Sequence, residues 1–309
     1  MPKVAKTKLI YVLGAAYSGS TLMGLALGKH SKIINLGEVV NLESDYADMA
    51  RCTCKSYLKD CDFWGSVKQA IKQKNLQPSF NLSITGQREL FDRRGGLEKI
   101  RLLFGKHLVN NYKESYLQRY QQKNENFFSA VSDLFSNAEY IVDLSKTSER
   151  LDVLLKSNCI DIWCIYLHWD PYKIYASTIK RPKRTRKLLG PKSFREALWL
   201  KKRLQDMKRV FLKLPPERRI EIDFDDFVTH PHYVLNHLFN KLNLQTELDG
   251  SPTEYLIQTS AQHIYVGNRW LFNRENDVVI KERNDTAELS LLQKIAFRAV
   301  WHKKNVCHE

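Results

Sequence analysis

The sequence predicts an α/β protein, a three-layer parallel sheet flanked by helices on both faces. Three observations carry this expectation. Short, almost continuously apolar runs recur along the chain, segments of helical period follow them, and the first run enters a loop of Gly, Ala and Ser before a helix opens. A strand covered on both faces has no polar side to present, so it reads as an unbroken apolar run instead of an alternating one. Strand then helix, repeated, is the pattern of a parallel sheet.

In chain order the expected strands are Leu9 to Leu13, Ile33 to Leu36, Tyr140 to Leu144, Ile160 to Leu167 and Ile220 to Phe224. The expected helices run from Thr21 to Lys29, Ser148 to Lys156, Pro171 to Lys180 and Phe194 to Leu212. The last is introduced by Ser193-Phe194-Arg195-Glu196, the Ser-x-x-Glu form of a capping box. Between the second and third strands lies an insertion, Asn41 to Glu139, rich in Lys, Gln, Tyr and Phe at helical spacing. It is expected to form a helical cap over the ligand edge of the sheet. With no tandem repeat or long low-complexity stretch, residues 1–309 are expected to be one α/β domain with a helical insertion at 41–139.

Composition narrows the partners. The chain has 309 residues, 43% hydrophobic, with 49 Lys and Arg against 34 Asp and Glu, a formal net charge of +15. A disordered chain would be poorer in apolar residues, and this length allows one large domain or two modest ones. The positive surplus favours an acidic partner: nucleic acid, an anionic membrane, or a small ligand carrying phosphates or sulfates. The basic start of the chain is followed by an apolar run shorter than a signal-peptide core, and no run approaches the roughly 20 residues a bilayer requires. A cytoplasmic location is therefore expected, with the six cysteines as reduced thiols. The densest basic run, Lys180 to Lys187, reads first as a solvated surface loop.

The most informative stretch is Leu9 to Met23. A buried strand runs into Gly14-Ala15-Ala16-Tyr17-Ser18-Gly19-Ser20-Thr21-Leu22. Small residues let backbone N–H groups curl round an anion, the helix N-terminus adds its unpaired amides, and the Ser and Thr hydroxyls complete the cradle. This is a P-loop-like site in physical terms. A nucleoside triphosphatase would continue from Gly19 with Lys, and Ser20 stands there instead, which disfavours triphosphate hydrolysis. A G-x-G-x-x-G dinucleotide fingerprint is also missing.

Tyr17-Ser18-Gly19-Ser20-Thr21-Leu22, followed by Lys29-His30-Ser31-Lys32-Ile33 and Leu36-Gly37-Glu38, resembles the opening of the sulfotransferases that use 3′-phosphoadenosine 5′-phosphosulfate (PAPS). Cys52-Thr53-Cys54 with Cys61-Asp62-Phe63-Trp64 is similar to the C-x-C and C-x-F-W pattern of a bacterial branch, and Asp143-Leu144-Ser145-Lys146 resembles its D-x-S-K. Leu167-His168-Trp169-Asp170-Pro171 with Ser177 resembles the segment that holds the 3′-phosphate. Phe224-Asp225-Asp226-Phe227 with His230-Pro231, and His263 with Gly267-Asn268-Arg269, resemble the later and closing motifs. The order agrees from about Leu9 to Arg274. Two positions depart from the pattern. Trp169 stands where the family carries Arg, so the 3′-phosphate needs another cation, from Lys173, Lys180, Arg181 or Arg269. Tyr17 stands where Lys or Arg is common and cannot neutralise a sulfuryl oxygen.

The resemblance implies PAPS as co-substrate, with Tyr17, Ser18, Gly19, Ser20, Thr21, Leu22, Ser177, Gly267, Asn268 and Arg269 around it. Sulfuryl transfer needs a base for the acceptor's proton and charge to stabilise the departing phosphate. Glu38 falls where some branches carry their base; its plainer role is a strand-end carboxylate facing solvent or paired with Lys. Lys146, at the end of a strand on the loop's edge, is the expected cation. Ser177 sits on a helix and can donate to the 3′-phosphate or be inert. His263 reads as a packed or hydrogen-bonded histidine before a second base. C-x-C-x6-C lacks the usual zinc-finger spacing and an obvious nearby fourth ligand, so no metal is expected, and a reduced cluster or one local disulfide is preferred. Cys159 and Cys164 read as core residues. The acceptor is expected to be a hydroxyl or amine of a glycan, lipid or small molecule. The alternatives are a P-loop nucleotide or small-molecule kinase, and a basic nucleic-acid-binding protein using Lys180 to Lys187. No recognised nucleic-acid module and no transmembrane segment is found, and oligomeric state is left open.

Overall fold

The structure is a computed structural model, and it describes residues 6–42, 51–73, 114–180, 192–248, 255–257, 262–265, 278–280 and 289–301. Its centre is a five-stranded sheet in the order β2-β3-β1-β4-β5, every neighbouring pair parallel. The strands are β1 (Thr7–Gly14), β2 (Ile33–Asn35), β3 (Tyr140–Asp143), β4 (Ile160–His168) and β5 (Arg219–Asp223). Each of the five expected strands is present. A two-stranded antiparallel ribbon, β6 (Tyr255–Ile257) with β7 (Val278–Ile280), was not foreseen. Strands of three residues are too short to leave a periodic signature.

The helices are α1 (Ser20–Leu27), α2 (Asp62–Gln73), α3 (Glu114–Leu134), α4 (Ser148–Leu154), α5 (Pro171–Lys180), α6 (Lys192–Phe211), α7 (Phe224–Thr229), α8 (Pro231–Lys241) and α9 (Leu291–Trp301). Ser193 lies inside the first turn of α6 and not before it, so the capping-box expectation is displaced by the helix starting at Lys192. Its carbonyl instead accepts a hydrogen bond from the Tyr175 hydroxyl, 3.0 Å.

Alternation along the central strands sorts the helices into two layers. Leu9, Tyr11 and Leu13 face one way with Ile141, Ile162 and Cys164, and meet Trp64 and Val67 of α2, Phe127, Phe128 and Val131 of α3, and Met207, Val210 and Phe211 of α6. Ile10 and Val12 face the other way with Val142, Trp163 and Ile165, and meet Met23 and Leu25 of α1, Phe227 of α7 and Leu235, Leu238 and Phe239 of α8. Both faces are dry, which is why β1 and β4 read as unbroken apolar runs. The described helices of the 41–139 insertion thus pack on a face of the sheet as part of its core. Of the 41–139 insertion expected to cap the sheet edge, residues 43–50 and 74–113 lie outside the described residues.

Candidate active site

Because all five strands run the same way, the loops that follow them gather at one edge. Beyond β1 the chain turns to β2 and β3 on one side, then to β4 and β5 on the other. Ligands of open α/β sheets bind outside the strand carboxyl ends where the order switches in this way. Tyr17 to Leu22 follow β1, Glu38 follows β2, Lys146 follows β3 and Trp169 follows β4, so these positions share the carboxyl edge. Gly267, Asn268, Arg269 and the run from Arg181 to Lys187 lie outside the described residues.

The loop after β1 is a tight turn ending in a helix. Tyr17 and Gly19 both have left-handed backbones, φ 72° and 81°. The Ser18 hydroxyl donates to the Ala15 carbonyl at 2.8 Å, and Ser18, Ser20 and Thr21 are buried. Ser18 therefore closes the loop from within, and the cradle is left to the unpaired backbone N–H groups of the first turn of α1. Gly19 is required twice over. Its φ favours glycine, and a Cβ there would lie 1.9 Å from Phe224 Cε2. Gly19→Ala is expected to lower stability by about 2–3 kcal/mol, from left-handed strain and overpacking against that ring. Chemical denaturation measures it; an unchanged unfolding midpoint would show that Phe224 yields freely.

Beside this loop, Lys146 Nζ donates to Glu38 Oε1 at 2.6 Å, with side chains 15% and 20% exposed. The two expected catalytic groups, 108 residues apart, are in direct contact. Their loops are laced together: Leu144 N–H donates to the Gly37 carbonyl at 2.8 Å and Val40 N–H to Ser145 Oγ at 3.1 Å. Lys146 is itself left-handed, φ 64°. A non-glycine residue there persists only where its surroundings over-determine it, and such residues cluster at functional sites.

The supports of Lys146 were not legible beforehand. Asp143 is fully buried; Oδ1 accepts the Ser145 N–H at 2.9 Å and also the Ser145 hydroxyl, and Oδ2 accepts Arg150 Nε at 2.8 Å. Arg150 is buried too and donates through Nη1 to the Tyr120 hydroxyl, 2.9 Å. Burial works to discharge Arg150, but the Asp143 carboxylate and the Tyr120 and Tyr11 hydroxyls outweigh it and hold its pKa above the usual guanidinium range. On the β1 side, Tyr11 donates to the Thr147 carbonyl at 2.8 Å and accepts from the Thr147 N–H at 3.1 Å. Burial pushes the Tyr11 phenol well above its ordinary range, so it stays neutral and can serve both bonds. Arg203 of α6 lies within the electrostatic reach of Glu149, Tyr11 and Glu38; burial holds its pKa below the usual guanidinium range against the upward pull of those groups.

After β4, Trp169 occupies the position whose usual arginine is missing. Its Nε1 donates to Asp225 Oδ1 at 2.8 Å, its ring meets Phe224 edge to face, and Lys173 Nζ sits 5.6 Å from its centroid while bonding Asp225 Oδ2 at 2.6 Å. Of the four candidate cations, Lys173 is the one whose side chain is described, and it adjoins Trp169. The hydrogen bond to Asp225 raises its pKa against the opposing effect of burial. Ser177, half-buried, is four residues further along α5 and so shares its face. His30 is structural: Nδ1 accepts the Lys32 N–H at 3.0 Å while Nε2 donates to the Gln245 carbonyl at 2.8 Å.

His263 meets the cysteines. Its Nδ1 is 3.3 Å from Cys61 Sγ and 3.7 Å from Cys52 Sγ, and its ring stacks on Phe63. Burial lowers its pKa and so favours the neutral imidazole, against an opposing pull from Asp62. The fourth group that the sequence did not offer to Cys52, Cys54 and Cys61 thus arrives from a residue 202 positions beyond Cys61.

Fold and site together define an α/β protein with a strand–loop–helix turn and a carboxylate–ammonium pair at the carboxyl edge of a parallel sheet. A family model described as the sulfotransferase family matches residues 10–248, and the chain belongs to that family. Solved structures that it is similar to include the sulfotransferase domain of the Synechococcus PCC 7002 olefin synthase, at 13% identity over 82% of this chain and 81% of that one, TM-score 0.44. Sulfotransferase STF9 from Mycobacterium avium matches at 14% identity over 78% of this chain and 64% of that one, TM-score 0.45. Sulfotransferase STF1 from Mycobacterium tuberculosis H37Rv matches at 13% over 96% and 78%, TM-score 0.44. No curated protein matches in sequence. Among the described residues, no helix is long and apolar enough to cross a membrane.

Proposed function

We propose that the chain is a cytoplasmic, PAPS-dependent sulfotransferase, built as one α/β domain with a helical insertion, that transfers a sulfuryl group to a hydroxyl or amine of a glycan, lipid or small-molecule acceptor. The observation that carries this is the Glu38–Lys146 contact at 2.6 Å, on the sheet edge where the Tyr17 to Leu22 loop opens α1. Family membership favours sulfuryl transfer over the kinase and nucleic-acid alternatives.

When bound, the co-substrate supplies an activated sulfuryl group on a phosphate leaving group. The first-turn amides of α1 hold the 5′-phosphosulfate, and the buried Ser18 keeps their loop in shape. Lys146, beside Glu38, would stabilise the phosphate leaving group, where negative charge grows as the S–O bond breaks. Glu38 accepts the proton of the acceptor as its oxygen or nitrogen bonds to sulfur. Lys173, with Ser177 on the same helical face, takes over the 3′-phosphate contact that an arginine at Trp169 would make.

The direct test incubates the purified chain with radiolabelled PAPS and follows release of 3′-phosphoadenosine 5′-phosphate. Failure of that nucleotide to bind at micromolar concentration would overturn the proposal. Lys173→Met is expected to weaken its binding about tenfold, roughly 1.4 kcal/mol, read by calorimetry. Unchanged affinity would move the role to Lys180, Arg181 or Arg269.

A further inference from the structure

We propose that Cys52, Cys54, Cys61 and His263 form a structural zinc site. Their four ligand atoms all lie within 4.8 Å of one another. A tetrahedral zinc with Zn–S of about 2.3 Å and Zn–N of about 2.0 Å places its sulfurs about 3.8 Å apart and sulfur and nitrogen about 3.5 Å apart. Cys54 Sγ is 3.7 Å from Cys61 Sγ, and His263 Nδ1 is 3.7 Å from Cys52 Sγ and 3.3 Å from Cys61 Sγ. Three of the six edges thus match such a tetrahedron, and the other three are no longer than 4.8 Å. A disulfide needs sulfurs about 2.05 Å apart, so the 3.7 Å spacing argues against a bridge between Cys54 and Cys61.

The backbone is arranged to present the four groups. Lys55, just after the C-x-C, is left-handed, φ 71°, and its N–H donates to the Cys52 carbonyl at 2.9 Å, folding Cys52 and Cys54 toward each other. Thr53, between them, grips both neighbours of His263: its hydroxyl donates to the Gln262 carbonyl and accepts the Ile264 N–H, 2.9 Å. Phe63 stacks on the imidazole with ring planes 3° apart and fixes its orientation. Metal-bound histidines are held in this way by their surroundings.

Three thiolates and an imidazole suit zinc among the common cations. Four protein ligands close the coordination shell, so the ion would be structural and not a Lewis acid for the reaction. Binding releases three thiol protons to solvent and leaves Zn²⁺ with three thiolates and a neutral histidine. The ion would tie the 51–61 loop to the 262–265 segment. Tyr265 of that segment accepts the Glu38 N–H at 3.2 Å, so the tie also braces the backbone of the proposed base.

The test uses the full chain, expressed with added zinc and purified under reducing conditions without chelator. One zinc per chain by mass spectrometry is expected, with most of it lost in Cys54→Ser and His263→Ala and all of it kept in Cys159→Ser, a residue that is exposed and not in the core where its sequence context placed it. Should the ligand variants fail to fold, cobalt replaces zinc in the wild-type chain, and the visible bands of tetrahedral, thiolate-bound cobalt are expected. A wild-type chain that takes up neither metal would overturn the proposal, as would full zinc in both ligand variants or a disulfide among the three cysteines in protein prepared under nitrogen. None of these readouts depends on sulfuryl transfer, so the site stands or falls apart from the proposed activity.

Discussion

Glu38→Gln is expected to lower kcat for sulfuryl transfer by about 10²- to 10⁴-fold, the usual worth of a positioned general base, with little change in binding of 3′-phosphoadenosine 5′-phosphate. Glutamine keeps the shape of the side chain and an oxygen for Lys146 Nζ but cannot take a proton. A second role has to be separated from this one, because Glu38 also holds Lys146 at 2.6 Å. If holding were its whole purpose, Glu38→Gln would keep that hold through its side-chain oxygen and cost little alone, and adding it to Lys146→Met would bring no further loss. If Glu38 is the base and Lys146 the cation, the two act on different atoms of the transition state and their losses compound. The double-variant cycle in kcat decides between them. A kcat for Glu38→Gln within about threefold of wild type, far below the expected effect, would reduce Glu38 to the partner of Lys146.

The sheet and its edge were legible because their causes are local. An apolar run such as Ile160 to Leu167 is a strand wherever helices cover both its faces, and parallel strands bring their carboxyl ends together without further instruction. That logic placed Glu38 and Lys146 on one edge, but not in contact; the contact depends on how the loops after β2 and β3 lace together. The supports of the site have no local signature. Tyr11 reads as one more core residue of β1, and nothing around Arg150 in the sequence says that it is buried against Asp143. His263 and the cysteines are the sharpest case, since C-x-C-x6-C by itself argues against a metal and only tertiary structure supplies the fourth group. Trp169 was recognised as a missing arginine, and the structure puts Lys173 beside it through their shared Asp225.

Arg150→Met is expected to cost about 3–5 kcal/mol of folding stability, the range for breaking a buried ion pair by removing one partner. Arg150 and Asp143 have no exposed side-chain surface, so the carboxylate left behind has no water to turn to. Methionine fills much of the volume, which keeps the loss electrostatic instead of a cavity effect. The paired change Asp143→Asn with Arg150→Met is expected to recover part of the loss. Asparagine carries no charge to strand, and its side-chain oxygen can still accept the Ser145 N–H that Asp143 takes at 2.9 Å. Stability alone would make Arg150 a structural residue, but its carboxylate partner shapes the turn that holds Lys146 at φ 64°. Under conditions where Arg150→Met is still folded, kcat should therefore fall while affinity for the nucleotide product is kept. Loss of stability with kcat unchanged would sever that turn from the chemistry, and a variant as stable as wild type would show that the buried pair is not what holds this part of the core.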